Sequence, residues 1–151
     1  MTHYKLNRQE QSATGWTDKI VVTHADLTES AANTAQTIQL ISVPAGAVVA
    51  NAAFRLVTGF QDLDDNAFNS VTVVVGDGGS TARFIGSTQV CEDGSEVDFW
   101  ATSAATSTQP YAYLVADTVD AIFSSMAAKN LAALDAGEMH IFLRVAPLAS
   151  V

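Results

Sequence analysis

The sequence predicts an all-β fold, an antiparallel β-sandwich or jelly roll of eight to nine strands with an extended N-terminal arm. Three observations carry this reading. Val71, Val73 and Val75 alternate with Ser70 and Thr72, and Met139, Ile141, Leu143 and Val145 alternate with Glu138, His140, Phe142 and Arg144. A period of two is the mark of a strand with one buried face. Glycine, proline and polar clusters interrupt the apolar runs at short intervals, as in sandwiches and jelly rolls. Long helical patterns do not alternate with the strands, which argues against an α/β fold.

Residues 1–18 are polar and without period, and are set apart as an arm before a single domain at 19–151. Lys5 and Arg8 face Glu10 and Asp18 there, so the arm is less acidic than the body. The segment reads either as a frayed terminus or as an arm that orders against a partner subunit with Tyr4, Leu6 and Trp16 as anchors, since exposed aromatic residues are characteristic of interfaces. Ile20–Thr23 is a short branched strand. Gln36–Val43 alternates in part and stops at Pro44 and Gly46. Residues 47–58 form a long strand, with Val48, Phe54 and Leu56 opposed to Asn51 and Arg55. Gly76-Asp77-Gly78-Gly79 joins strand 70–75 to strand 82–87 as a hairpin turn. Val97–Trp100 is a further strand, 101–110 a polar loop, and Tyr111, Tyr113 and Val115 share a face. Ala121–Ser124 is brief, and 138–145 is the cleanest strand of the chain. Ser125–Ala136 has helix propensity and ends at Gly137; it reads as either a short helix or a loop.

The chain has 151 residues, a length that suits one domain. Its 15% of charged residues is low, and 48% are apolar, so parts of the surface suit burial against copies of the chain. The net charge of −9 and the lack of a Lys/Arg cluster argue against nucleic acid and against anionic membranes. The amino-terminal residues lack a signal-peptide core, and no apolar run is long enough to span a bilayer, so a soluble protein made in a cytoplasm is expected.

Candidate chemistry is sparse. Cys91 is alone and reads as a passive small residue. Asp62-Leu63-Asp64-Asp65-Asn66 begins like a calcium loop, but Ala67 and Val73 stand where an EF-hand needs glycine and glutamate. It reads as a solvated acidic turn, with a looser site shared with Glu92 or Asp93 as the alternative. Gly76–Ser80 lacks the lysine and following helix of a phosphate loop. His24, Asp26 and Ser30 are neighbours in sequence without a nucleophile elbow. His3, His24 and His140 show no metal-ligand spacing. Trp100, Tyr111 and Tyr113 beside the polar loop are a candidate sugar-stacking platform, or else core and interface residues. No enzyme activity, cofactor or metal is expected.

Four segments carry a family likeness. Val-Pro-Ala-Gly-Ala-Val-Val at 43–49, Val-Thr-Gly-Phe at 57–60, Val-Val-Val-Gly-Asp-Gly-Gly at 73–79 and Leu-Asp-Ala-Gly-Glu-Met-His-Ile-Phe-Leu-Arg-Val at 134–145 resemble small virion proteins of tailed bacteriophages. The chain is similar, over roughly residues 36–147, to head decoration (cement) proteins of the jelly-roll type. The resemblance implies a homotrimer on the outer capsid surface of a virion, bound to the major capsid protein where capsomers meet and bracing the shell. It implies no catalytic residues. Tyr4, Leu6, Arg8 and Trp16 then become the candidate contacts to capsid or subunit. A tail or fibre module that binds host glycans is the alternative.

Overall fold

The computed structural model describes residues 1–91, 100–102 and 110–147. Ten strands occur among them: β1 (Thr2–Lys5), β2 (Asp18–Thr23), β3 (Ala35–Val43), β4 (Ala47–Gln61), β5 (Val71–Asp77), β6 (Ser80–Gln89), β7 (Trp100–Thr102), β8 (Tyr111–Tyr113), β9 (Asp117–Ser125) and β10 (Ala136–Pro147). A seven-residue helix, α1 (Arg8–Thr14), separates β1 from β2. Six strands form one sheet in the order β1-β2-β10-β4-β7, with β8 also on β4; the other sheet runs β3-β9-β5-β6. Neighbours are antiparallel throughout these ladders. The chain passes from sheet to sheet between β2 and β3, β3 and β4, β4 and β5, β6 and β7, β8 and β9, and β9 and β10. Most partners are therefore distant in sequence, and the two sheets together have the connectivity of a jelly roll.

The alternating pattern explains which side of each strand is inside. In β2, Asp18, Ile20 and Val22 are buried and Lys19, Val21 and Thr23 lie outward. In β10, Met139, Ile141 and Leu143 are buried between outward Glu138, His140, Phe142 and Arg144. Phe54, Phe60, Phe84 and Phe123 are wholly buried between the sheets, and the Phe60 and Phe123 rings lie 5.5 Å apart. Each such ring contributes about 1.5–3 kcal/mol by leaving water. The small residues Ala52 and Ala121 are buried there as well, which brings neighbouring side chains close to the sheet backbone. The register of β4 against β10 shifts at three points, and those irregularities let fifteen residues keep one apolar face as the sheet twists.

The 76–79 hairpin forms as the pattern indicated: Asp77 pairs with Ser80 across Gly78-Gly79. A Cβ at Gly76 would lie 2.1 Å from the Ser80 carbonyl oxygen, so the close return of the chain requires glycine there. Of the two readings open for 125–136, helix or loop, the structure takes the loop, and residues 1–18 differ from their expected form. Between β9 and β10, residues 126–135 form a loop with a short 3-10 turn at Leu131–Ala133, because Leu131 is drawn into the core and Ala136 already pairs with Gln61. Residues 1–18 carry more structure than their lack of period indicated, since β1 pairs with β2 of the same chain. Asn7 and Glu10 form a capping box on α1, and Gly15 ends the helix with positive φ. No apolar period marks α1 because it buries none of its residues. Val115, expected beside Tyr111 and Tyr113, lies beyond β8 in an exposed turn. Of the strand expected at 97–100 and the polar loop expected at 101–110, residues 97–99 and 103–109 lie outside the described residues, and Trp100–Thr102 form β7 against β4.

Candidate interaction surface

The register of the six-stranded sheet builds rows of side chains on its outer face. Tyr4, Lys19, Phe142 and Ala53 stand side by side in one row, and Thr2, Val21, His140 and Arg55 in the next. Arg144 is exposed two residues beyond Phe142 on the same face. α1 lies beside this face. The Trp16 ring sits 6.1 Å from that of Phe142, and the Thr17 N–H donates to the Leu143 carbonyl while the Thr17 hydroxyl accepts from the Val145 N–H.

The four candidate contact residues thus reach the same side of the molecule but do not form one site. Tyr4 and Leu6 line a hollow of about 240 Å³ with Lys5, Glu10 and Lys19. Arg8 lines a second, of about 440 Å³, with Gln11, Arg144 and Pro147. Trp16 is half-buried on Phe142. Sequence reading missed Lys19, Phe142 and Arg144 as members of this surface. Their outward positions in two alternating strands were legible, but the adjacency of β2 and β10 was not.

This sheet and α1 carry five of the seven basic residues (Lys5, Arg8, Lys19, Arg55, Arg144) and three of the sixteen acidic ones (Glu10, Asp18, Glu138). The region is therefore +2, and the rest of the chain −11. Among the described residues Arg8, Lys19 and Arg144 have no carboxylate within ion-pair distance. Asp18 is buried at the start of β2, between β1 and β10. It accepts from Lys5 Nζ at 3.0 Å and from the Thr17 hydroxyl at 2.6 Å, and His3 Nε2 lies 2.8 Å away. Burial alone would raise its pKa; the Thr17, Lys5 and His3 contacts outweigh that and hold it below the ordinary carboxylate value.

A second buried carboxylate, Asp77, works between the sheets. It accepts from the Gly79 and Ser80 N–H groups, from Arg83 Nε and, at 2.8 Å, from the Tyr113 hydroxyl. Arg83 lies 3.7 Å over the Tyr111 ring, which meets Tyr113 edge-on at 5.0 Å. The β5–β6 hairpin of one sheet is thereby tied to β8 of the other. Burial pushes Asp77 up, but Arg83, Tyr113 and the Ser80 N–H prevail and hold it low. Tyr113 is pushed up by burial and by its bond to Asp77, so it remains a donor. The sequence signalled the turn but not this clamp, whose partners come from distant strands.

The remaining candidates have local employment. Asp62 and Asp65 cap the turn N–H groups of Asp64 and Ala67, and Lys129 pairs with Asp65. Among the described residues no group of His, Cys, Asp and Glu could hold a metal ion. Glu92 and Asp93 lie outside those residues. Asp26 caps Thr23 and pairs with the amino terminus. His24 lines an open hollow with Asp135 and Glu138, but Asp135 accepts from the Leu63 N–H and Glu138 is bonded to His140, so neither orients it. Cys91 donates to the Phe68 carbonyl. Tyr113 is core and Tyr111 is covered by Arg83, so neither offers an open stacking face. No helix among the described residues is long and apolar enough to cross a membrane.

No family model matches the sequence, and no curated protein matches it. The fold does have solved counterparts. A chain of the cyanophage Pam1 capsid asymmetric unit aligns with a TM-score of 0.52 at 20% identity, over 84% of this chain and 78% of that one. A chain from the acidic stable capsid structure of Helicobacter pylori bacteriophage KHP30 aligns at 0.47 and 14% identity, over 84% of this chain and 85% of that one. The first likeness shows that the two chains share a fold.

Proposed function

We propose that this chain is a structural protein of a phage virion, a decoration or cement protein that binds the outer capsid surface as a homotrimer. The observation that carries the reading is the fold shared, along 84% of the chain, with a chain of the Pam1 capsid asymmetric unit. The strand-and-turn motifs that resemble decoration proteins support it, as does a face where Arg8, Lys19 and Arg144 have no carboxylate within ion-pair distance among the described residues and stand near half-buried aromatic rings. Such a protein acts by mass action. It binds the assembled shell and not the dissociated subunits, which stabilises the shell by about 2.7 kcal/mol when present at about a hundred times its Kd. The partner is the major capsid protein, the place is the virion surface, and synthesis is in the cytoplasm of the bacterial host. Tyr4, Leu6, Arg8 and Trp16 are contacts to capsid or subunit.

The test is to mix purified protein with empty shells of its phage and pellet them. Co-sedimentation, and threefold density on the outside of the shell by cryo-electron microscopy, are expected. Density only in the tail, or no binding to shells, refutes the reading.

A further inference from the structure

Two patches of this molecule complement each other and cannot meet within one copy. The first is the cationic face, where Arg8 and Arg144 line one hollow and Lys19 stands beside Tyr4 and Phe142. The second is the loop after β4. Its Leu63 is 61% exposed, and the neighbouring Asp64 is exposed with no cation within ion-pair distance among the described residues. The loop is held in place: the Leu63 N–H donates to Asp135 at 3.0 Å, and the Asp64 N–H to Asp62 at 3.0 Å. Leu63 and Asp64 are thus presented outward on a fixed frame.

Distance excludes an internal contact. Arg144 pairs with Asn51 near the start of β4, whereas Asp62 follows the last residue of that strand. Eleven residues of strand separate the two points by roughly 35 Å. A match between the two patches therefore needs a neighbour, and a second copy of this chain carries the complementary charge. The region around the cations carries +2 and the remainder of the chain −11, so copies repel unless this face meets an acidic one.

We infer that the Leu63–Asp64 loop of one copy docks on the Arg8–Arg144 and Lys19 face of the next. Asp64 meets the two guanidinium groups, and Leu63 covers the half-buried Trp16 and Phe142 rings. An apolar centre with charges at the rim is the ordinary anatomy of a protein interface. The two patches are different, so the contact is head-to-tail, and it closes into a ring when the rotation per copy divides a full turn. This rests on the oligomer proposed above and names the surfaces that make it.

The experiment uses the full chain in the absence of shells, by sedimentation velocity. Wild type is expected to associate, and about 1 M salt, where the screening length is about 3 Å, to weaken association at least about tenfold. Lys19→Glu with Arg144→Glu, and separately Asp64→Lys, are each expected to disperse the oligomer with the far-ultraviolet circular dichroism unchanged. Combining all three restores opposite charges across the contact and is expected to restore association. A monomeric wild type overturns the inference, as does dispersal by only one of the two patches or a triple variant that stays dispersed. Shell binding is read separately by pelleting. Variants that disperse but still pellet with shells support the inference independently of the trimer's place on the capsid; failure of all chains to pellet refutes the capsid reading and leaves the copy-to-copy contact standing on the sedimentation data.

Discussion

On the outer face of the six-stranded sheet, Lys19 and Arg144 stand among Tyr4 and Phe142, with Arg8 and Trp16 alongside on the α1 side. The four-stranded sheet instead turns Thr37, Gln39, Thr72, Val74, Ile122 and Ser124 outward around Asp120. Both faces are read from the same two-residue period, yet one carries Lys19 and Arg144 with no carboxylate within ion-pair distance among the described residues, and the other a nearly neutral lawn of hydroxyls and methyls. The buried carboxylates differ in the same sense. Asp77 is held by Arg83 and Tyr113, both largely withdrawn from solvent, whereas Lys5, which holds Asp18, is 65% exposed at its side chain. Withdrawn partners fix the sheets to each other; exposed ones leave the edge of the first sheet able to adapt to a neighbour.

The sharpest way to break this contrast is to remove each carboxylate. Asp77→Ala strands a guanidinium and a phenol in a dry place and is expected to cost about 3–5 kcal/mol in urea denaturation. Asp18→Ala is expected to cost less, about 1–3 kcal/mol, because Lys5 and His3 can turn to water. Equal losses would erase the distinction between the two sites. Both carboxylates have folded pKa values below their unfolded ones, so their contributions are present above about pH 4 and are lost as pH falls through the lower, folded values. Acid titration of wild type against each variant checks that sign.

Smaller effects sharpen the contrast. Trp16→Ala removes the ring over Phe142 and is expected to cost about 1 kcal/mol while weakening the association of copies and, through it, shell attachment. Thr72→Ala, on the opposite face, serves as its control and is expected to leave attachment unchanged. The smallest effect has the opposite sign. Burial, together with the charges of Asp117 and Asp77, raises the Asp120 pKa despite its bond from Thr118. A carboxylate raised on folding favours the native state below its unfolded pKa, and the benefit disappears as pH rises through the folded value. Asp120→Asn is therefore expected to stabilise the protein at pH 7 by a few tenths of a kcal/mol after solvent screening, and not in acid. Thermal melts at both pH values measure this.

Strand legibility followed the strength of the local pattern. β10 was readable almost to its ends because Met139, Ile141 and Leu143 alternate without a break. β4 ran beyond its expected end because register shifts against β10 let Phe60 point inward out of phase. α1 was invisible to hydrophobic periodicity, although Asn7, Glu10 and Gly15 mark its two ends. Of the candidate interaction surface, Tyr4, Leu6, Arg8 and Trp16 could be proposed as apolar, aromatic or basic residues in a polar segment. Lys19 and Arg144 could not, since each looked like an ordinary outward strand residue.

The sequence by itself determined the β class, the inward and outward sides of its best strands, the 76–79 turn and the acidic balance. These depend on neighbours one to four residues away, where alternation and glycine act directly. Only the tertiary structure decided that β10 lies between β2 and β4, that Asp77 meets Tyr113, and that most of the cations gather on one sheet. A strand's period fixes which side is buried but not which strand lies beside it. That choice is made by packing across the whole core.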